Sequence, residues 1–415
     1  MPAEAIGGYM GKILRVDLSN EKLSEESPDA ETLRNYVGGT GLGVKYLYEE
    51  VPPGVEWSDA ENRIMFFAGP LSGTRISGTG IFSIISKGPM TNFAGTSQAN
   101  GYFGAFLKFS GYDGIVVQGK ARRWLYLYVH NGTAELRDAA HLQGKDTWET
   151  EDTIKNEVSG QCSVYAIGSA GENLVRFSSI VGDHGHVAAH NGLGAVMGSK
   201  KLKAIVAGRG RKKVAVAMPD ELPGLNETML EIAQKAMPTL SSLGTSGALP
   251  MLHSIGQLPV KNYTTSIFPD YEKFSGEYLR THFKATPTTC WACRISHCRM
   301  TEVTEGPYKG FVGEEPEYEG VAAMSSVIGQ TDPGATVMLG NHVDRLGIDI
   351  NESGWIIGWL MECYQKGLLR KDDLDGIDIG WGNAEATREI LRKIAYREGN
   401  GNLWAEGVKR TAEKY

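Results

Sequence analysis

Residues 124–138, WLYLYVHNGTAELRD, read as two strands joined by a two-residue turn. Asn131-Gly132 is the pair that tolerates positive φ at both central positions of a type I′ turn, whose twist matches that of the flanking strands. Working outward, β-compatible runs recur between turn residues: KILRVDL (12–18), RIMFFAGPL (63–71), IFSIISKGP (81–89), GIVVQG (114–119), SVYAIG (163–168) and KAIVAG (203–208). Several are apolar throughout, as expected of strands buried on both faces of a layered sheet. Few helices interrupt them; one is DAETLRNYVGG (29–39), which glycine is expected to close.

From about Pro219 the periodicity becomes helical. DELPGLNETMLEIAQKAM (220–237) and NAEATREILRKIAYREGNG (383–401) are helices, the second beginning on Asn383 and stopping at Gly399. SGWIIGWLMECYQKGLL (353–369) is apolar nearly all round, as a buried helix would be. GNLWAEGVKRTAEKY (401–415) reads as one amphipathic helix, and 240–290 as loops and short elements leading to a cysteine cluster. The fold class is therefore α+β, with a β-rich domain over 1–212 and a mainly α-helical domain over 213–415.

Composition narrows the function. The 415 residues hold 42 basic and 49 acidic side chains, net charge -7, with no block of like charge, so the clustered cations that neutralise nucleic-acid phosphates are missing. Residues 1–18, MPAEAIGGYMGKILRVDL, lack the basic and apolar regions of a secretory signal. No apolar run reaches the ~18 residues of a membrane span, and the chain is expected to be cytoplasmic. Neither a phosphate loop nor a dinucleotide fingerprint sits in a strand-to-helix setting.

The five cysteines are distributed unevenly: Cys290, Cys293 and Cys298 fall in TPTTCWACRISHCRM (286–300) as C-x2-C-x4-C. In a cytosolic protein this favours metal binding over disulfides. An iron–sulfur cubane wants four thiolates, part of them from one compact loop. A structural zinc site, with His297 or a distant residue as fourth donor, is the rival, and three incidental buried cysteines the bland alternative. Cys162 and Cys363 read as small buried hydrophobes. Downstream, GEEPEYEG (313–320) alternates Glu315, Glu317 and Glu319, and DRLGID (344–349) sets Asp344 and Asp349 around Gly347. Glycine-studded links such as TSQANGYFG (96–104) and DHGHVAAHNGLG (183–194) could form anion nests; His184, His186 and His190 read as satisfied loop histidines, with no acidic or cysteine partner evident.

Taken in order, GGYMGKILRVDLS (7–19), YVGGTGLGVKYLY (36–48), FAGPLSG (67–73), ANGYFG (99–104), GYDGI (111–115), GENLVRFSSI (171–180), GAVMGSKKLKAI (194–205), the cysteine triplet, PEYEG (316–320), DRLGID and GNLWAEGVKR (401–410) resemble the aldehyde:ferredoxin oxidoreductase family end to end. The resemblance implies tungsten, or molybdenum, held by two pterins beside a [4Fe-4S] cluster, on a β-sheet base covered by helical domains. By that likeness Cys290, Cys293 and Cys298 supply cluster thiolates, and Asp344, Gly347 and Asp349 match a D-x-x-G-L-D pterin motif with Ile348 for Leu. Glu319 falls at the active-site glutamate. Gln98, Ala99 and Asn100 fall at an Asn-Ala-Gly contact to pterin and to the Mg2+ bridging its phosphates. His186 and Val187 replace Arg-Ala, and Ile81 replaces a second pterin-contacting arginine.

The implied activity is oxidation of small aldehydes to carboxylic acids, with Glu319, its carboxyl raised by burial, handling the proton. Electrons would leave through the cluster to a ferredoxin-like carrier; a homodimer or a separate electron-transfer subunit is a further implication. The same cofactor could instead reduce a carboxylic acid or an aromatic thioester. The family's third domain, bearing a fourth cysteine, a second pterin motif and an active-site histidine, is expected beyond Tyr415. The chain alone would then be a catalytically incomplete fragment or subunit.

Overall fold

A computed structural model describes residues 6–415; the first five, part of the stretch read for a signal, lie outside the described residues. Two compact units emerge, one formed by 1–230 with 290–294, the other by 231–289 with 295–415.

The first unit carries twelve strands: β1 Ile13–Asp17, β2 Lys22–Glu26, β3 Ile64–Ala68, β4 Phe82–Lys87, β5 Ala94–Ala99, β6 Gly114–Gln118, β7 Leu125–His130, β8 Thr133–Asp138, β9 Cys162–Ala166, β10 Ile180–Gly182, β11 His186–Ala188 and β12 Leu202–Gly208. They form two six-stranded sheets, ordered β2-β1-β6-β3-β4-β5 and β11-β10-β9-β12-β7-β8. Only β1–β6 and β7–β12 pair in parallel. The hairpin β7–β8 closes His130 against Thr133. Asn131 and Gly132 have φ of 48° and 85°, the two positive values its turn chemistry demands.

Alternation along the strands explains their continuous apolarity. Ile64 and Phe66 of β3 and Leu125, Leu127 and Val129 of β7 share one core with the helices Phe103–Phe109 and Leu193–Ser199. Met65 and Phe67 face the other way, onto Leu33, Leu42, Tyr46 and Leu47 of the helices Ala30–Tyr36 and Gly39–Glu50. Tyr126 and Tyr128 likewise meet Ile154 of the helix Thr147–Glu157. β3 and β7 are thus covered on both faces, whereas β2, β5 and β8 keep exposed positions.

In the second unit β13 Lys284–Pro287, β14 Arg299–Glu302 and β15 Val312–Glu314 form a small antiparallel sheet. Helices dominate the rest, chiefly Pro333–Leu346, Ile350–Gln365 and Ala384–Tyr396. Asp332, Asp349 and Asn383 cap these three, each accepting from a backbone N–H three residues on. Ile356, Ile357, Leu360 and Met361 are buried, as the all-round apolarity of 353–369 requires.

Several expectations are corrected. The helix Ala30–Tyr36 ends on Val37, whose φ is 61°, one residue before the glycine expected to close it. Arg397, at φ 53°, ends Ala384–Tyr396 before Gly399 is reached. Residues 401–415 are two short helices, Gly401–Trp404 and Val408–Ala412, because Gly407 at φ 94° breaks the run. TSQANGYFG contains the end of β5, an edge strand whose small polar residues disguised it. The division between units also differs from 212/213. Residues after β12 stay with the first unit, where Ala215 accepts from Gly8 N–H (2.7 Å) and Asn226 Oδ1 from Ser77 N–H (2.8 Å).

A buried ion pair ties the entry of β1 to this core. Lys108 and Asp113 are 0% and 2% exposed and paired with each other. Asp113 also accepts from Met10 N–H (2.9 Å) and Gly11 N–H (2.7 Å), and Lys108 donates to Gly8 O (2.8 Å). Removing one partner strands the other charge in a dry interior. Asp113→Ala should therefore lower stability by about 3–5 kcal/mol in urea unfolding, and the double substitution Lys108→Met/Asp113→Leu should recover most of it. A D113A variant as stable as the parent would contradict this.

Candidate functional site

Cys290–Arg294 belongs to the first unit although both flanks belong to the second. Three anchors hold it. Trp291 N–H donates to Gly101 O (3.0 Å), the Trp291 indole donates to Thr74 O (2.7 Å), and Arg294 N–H donates to Ser77 Oγ (2.9 Å). The indole also meets Phe109 edge-on, ring centroids 5.0 Å apart. Within the loop, Cys293 N–H donates to Cys290 O (3.2 Å), closing a turn in which Ala292 takes φ 54°.

Two glycines make this docking possible. A Cβ on Gly80 would lie 2.5 Å from Gly101 O and 3.3 Å from Cys290 Cβ. A Cβ on Gly101, whose φ is 88°, would lie 2.4 Å from Asp183 Oδ2 and 3.0 Å from both His186 Cδ2 and the Tyr165 hydroxyl. Backbone approach this close needs residues without side chains.

Asp183 is the electrostatic centre of this region. It accepts from Tyr102 N–H (2.8 Å) and the Ser163 hydroxyl (2.8 Å). Burial, and after it the charge of Glu151, push its carboxyl up to about 6. Glu151, itself buried, pairs with Lys155 and accepts from His184 N–H (3.0 Å). His184 reaches Asp152 at 2.8 Å, and His186 Nε2 lies 3.5 Å from Cys290 Sγ. The histidines thus do have acidic and cysteine partners, contrary to the sequence expectation. The partners lie far away in sequence, and His186 sits in β11 rather than in a loop.

The remaining first-unit candidates lie nearby. Gln98 and Asn100 are exposed and Ala99 is buried, the alternation of β5 and its end. Asn100 O accepts from the Tyr165 hydroxyl (2.6 Å). Ile81 follows Gly80 and is 39% exposed, while Val187 pairs with Val181.

The second unit holds Cys298 and the carboxylates. Cys298 Sγ lies 3.7 Å from His297 Nε2 and 3.9 Å from Glu317 Oε1, and His297 meets Glu317 at 3.1 Å. Glu315 is buried in a bidentate pair with Arg280 (2.7 Å for one arm). Glu319 sits in the first turn of the helix Tyr318–Met324 and is exposed, so the burial expected of it is not found. That position turns the side chain away from the face that buries Gly320, Val321 and Met324. In the D-x-x-G-I-D segment Gly347, at φ 72°, ends the helix Pro333–Leu346, and Asp349 opens the next by accepting from Glu352 N–H (2.9 Å). Asp344 is half-buried, and desolvation followed by the charge of Glu314 holds its carboxyl well above the carboxylate range.

Among the described residues no cysteine forms a disulfide. Burial pushes the Cys162 thiol up to about 11 and also raises Cys363, the behaviour of inert packing residues. No helix among the described residues is long and apolar enough to cross a membrane. Asp183, Glu151 and Trp291 are the site residues that sequence reasoning missed. The adjacency of Asp183 to His184 and of Trp291 to Cys290 was the available signal.

Family models described as the aldehyde ferredoxin oxidoreductase N-terminal domain and domains 2 and 3 match residues 13–209 and 225–415. The tungsten-containing aldehyde ferredoxin oxidoreductase of Pyrococcus furiosus is 37% identical over 421 residues, covering 98% of this chain and 67% of the relative. An aliphatic sulfonate oxidoreductase WOR-like subunit from the same organism is 35% identical, with the same coverage. The active-site complex BamBC of benzoyl-coenzyme A reductase, solved with 1,5-dienoyl-CoA, superposes with a TM-score of 0.86 at 28% identity. It covers 98% of this chain, which spans 63% of that one.

The raised Asp183 carboxyl has a signed consequence. Between the ordinary aspartate pKa and about 6 the folded protein keeps a proton that the unfolded chain releases, so this group's contribution falls as pH rises through that window. Asp183→Asn removes the charge but keeps an acceptor oxygen. Its stability relative to the parent should therefore improve between pH 4.5 and 7.5, by on the order of 2 kcal/mol in denaturant unfolding. A difference that does not vary with pH would refute the assignment.

Proposed function

The chain belongs to the aldehyde ferredoxin oxidoreductase family, and from that premise we propose that it oxidises small aldehydes to carboxylic acids on a tungsten bis-pterin, with molybdenum the alternative metal, sending electrons through a [4Fe-4S] cluster to a ferredoxin-like carrier. The match of tungsten-containing relatives across nearly the whole chain carries this reading.

The residues present suit these groups. Cys290, Cys293 and Cys298 are unbridged, half-buried thiols of the kind a cluster needs. Asp344, whose carboxyl is held well above the carboxylate range, would contact the edge of a pterin ring, and Gly347 opens the backbone beside it. Gln98, Ala99, Asn100, Ile81, His186 and Val187 would border the other pterin and its Mg2+ on the sheet side. When bound, the metal centre supplies Lewis acidity and a two-electron acceptor. Trp291 and the Gly101 carbonyl keep the cysteine loop in register, and Glu319 takes the proton released as the aldehyde is oxidised.

A second reading, reduction of an aromatic thioester on the same scaffold, is favoured by the likeness to the benzoyl-coenzyme A reductase complex. It brings with it a separate electron-transfer subunit in place of a free carrier.

Elemental analysis and a viologen assay on the anaerobically purified protein test the proposal. Tungsten and iron are expected, with aldehyde-dependent dye reduction in the full-length enzyme; zinc in place of iron would overturn the cluster assignment. Cys293→Ser should deplete iron and leave tungsten in place. Glu319→Gln should lower turnover by about 10²–10⁴-fold with metal content intact, and unchanged turnover would dismiss Glu319 as the acid/base.

A further inference from the structure

We propose that His186 donates an Nε2–H···Sγ hydrogen bond to Cys290 and thereby raises the reduction potential of the iron–sulfur centre that this cysteine holds, an inference that rests on the cluster assignment above. The nitrogen and sulfur lie 3.5 Å apart, within hydrogen-bond range for sulfur. Direction follows from chemistry: a metal-bound thiolate carries no proton, so in this contact only the imidazole can donate.

The surroundings fix both partners. His186 opposes Gly182 in the β10–β11 ladder. A Cβ on Gly182 would lie 2.2 Å from Val164 O and 2.7 Å from the Tyr165 ring, so that strand is seated tightly on β9. The imidazole edge rests over Gly101 beside the Asp183 carboxylate and the Tyr165 hydroxyl. Asp183 and His186 attract each other electrostatically. On the other side Cys290 Cβ is held against Gly80, and the next residue is pinned by its N–H to Gly101 O. Neither group can withdraw without breaking these contacts.

Hydrogen bonds to cluster sulfurs are among the factors that set iron–sulfur potentials. Reduction adds negative charge to the centre, so a donor aimed at a ligand sulfur stabilises the reduced form more than the oxidised form. His186 therefore acts as a positioning and tuning residue.

The test is an EPR-monitored redox titration of the full chain after anaerobic iron–sulfur reconstitution, with iron content measured alongside. His186→Leu should shift the midpoint to more negative values by roughly the equivalent of a tenfold change in the reduced-to-oxidised ratio, about 59 mV for a one-electron couple. His186→Gln, whose amide N–H reaches about as far as Nε2, should return toward the parent value, whereas His186→Asn, one methylene shorter, should not. Equal midpoints for parent and H186L at equal iron content would overturn the inference. Should H186L fail to hold iron, the H186Q and H186N pair decides: a parent-like midpoint in H186N would overturn it. A parent chain that takes up no iron would sink the cluster assignment itself, an outcome distinct from both.

Discussion

The bare α-carbon of Gly101 sets how closely the pieces of the first unit can approach one another. Its carbonyl receives the Trp291 N–H, and its missing side chain leaves room for Asp183, His186 and Tyr165 on the other side. Any Cβ there would collide with a carboxylate oxygen at 2.4 Å, in a backbone conformation that L side chains rarely adopt. Gly80 does the same for Cys290 one layer away. The cysteine loop, the β10–β11 hairpin and the end of β5 thus share a single steric vacancy. A small shift in one would be felt by the other two.

Around that vacancy the first unit buries charge as well as apolar surface. Lys108, Lys200 and Lys203 are all fully buried. Lys200 donates to the carbonyls of Asn62 (2.7 Å) and Gly119 (3.1 Å), with burial lowering its pKa to about 7. Lys203 is paired with Glu172 and donates to Lys145 O (2.9 Å). These ammonium groups gather loop carbonyls that no strand satisfies, which is how long connections between the sheets stay ordered. Unpaired buried charge would be costly, so each lysine is surrounded by acceptors.

Legibility in the sequence followed the range of the interactions involved. Strands β1, β3, β4, β6, β9 and β12 were visible because apolar runs and turn residues are local signals, and Asn131-Gly132 specified its own hairpin. Helix starts at Asp332 or Asn383 were equally local. Helix ends were less so: Val37 and Arg397 stop helices in a left-handed conformation that glycine would adopt more readily. β5 was hidden because an edge strand of Gly, Thr, Ser and Gln carries no apolar alternation. At the site, the cysteine spacing and the D-x-x-G-I-D segment stood out, whereas the contact of His186 with Cys290 spans 104 residues. Asp183 looked like any loop aspartate until burial gave it a perturbed carboxyl. The exposure of Glu319 reflects which face of one short helix is packed, a matter that five residues of motif do not determine.

The backbone crosses between the two units at 230/231, 289/290 and 294/295, the first of these inside the helix Leu222–Ala236. No single uninterrupted reading frame can therefore encode the first unit by itself. A gene cut anywhere between the two halves would yield a β-sheet piece lacking Trp291 and a helical piece carrying a five-residue plug with nothing to fill. Such a cut would part Cys290–Arg294 from the Gly101 and Thr74 carbonyls and the Ser77 hydroxyl that hold it.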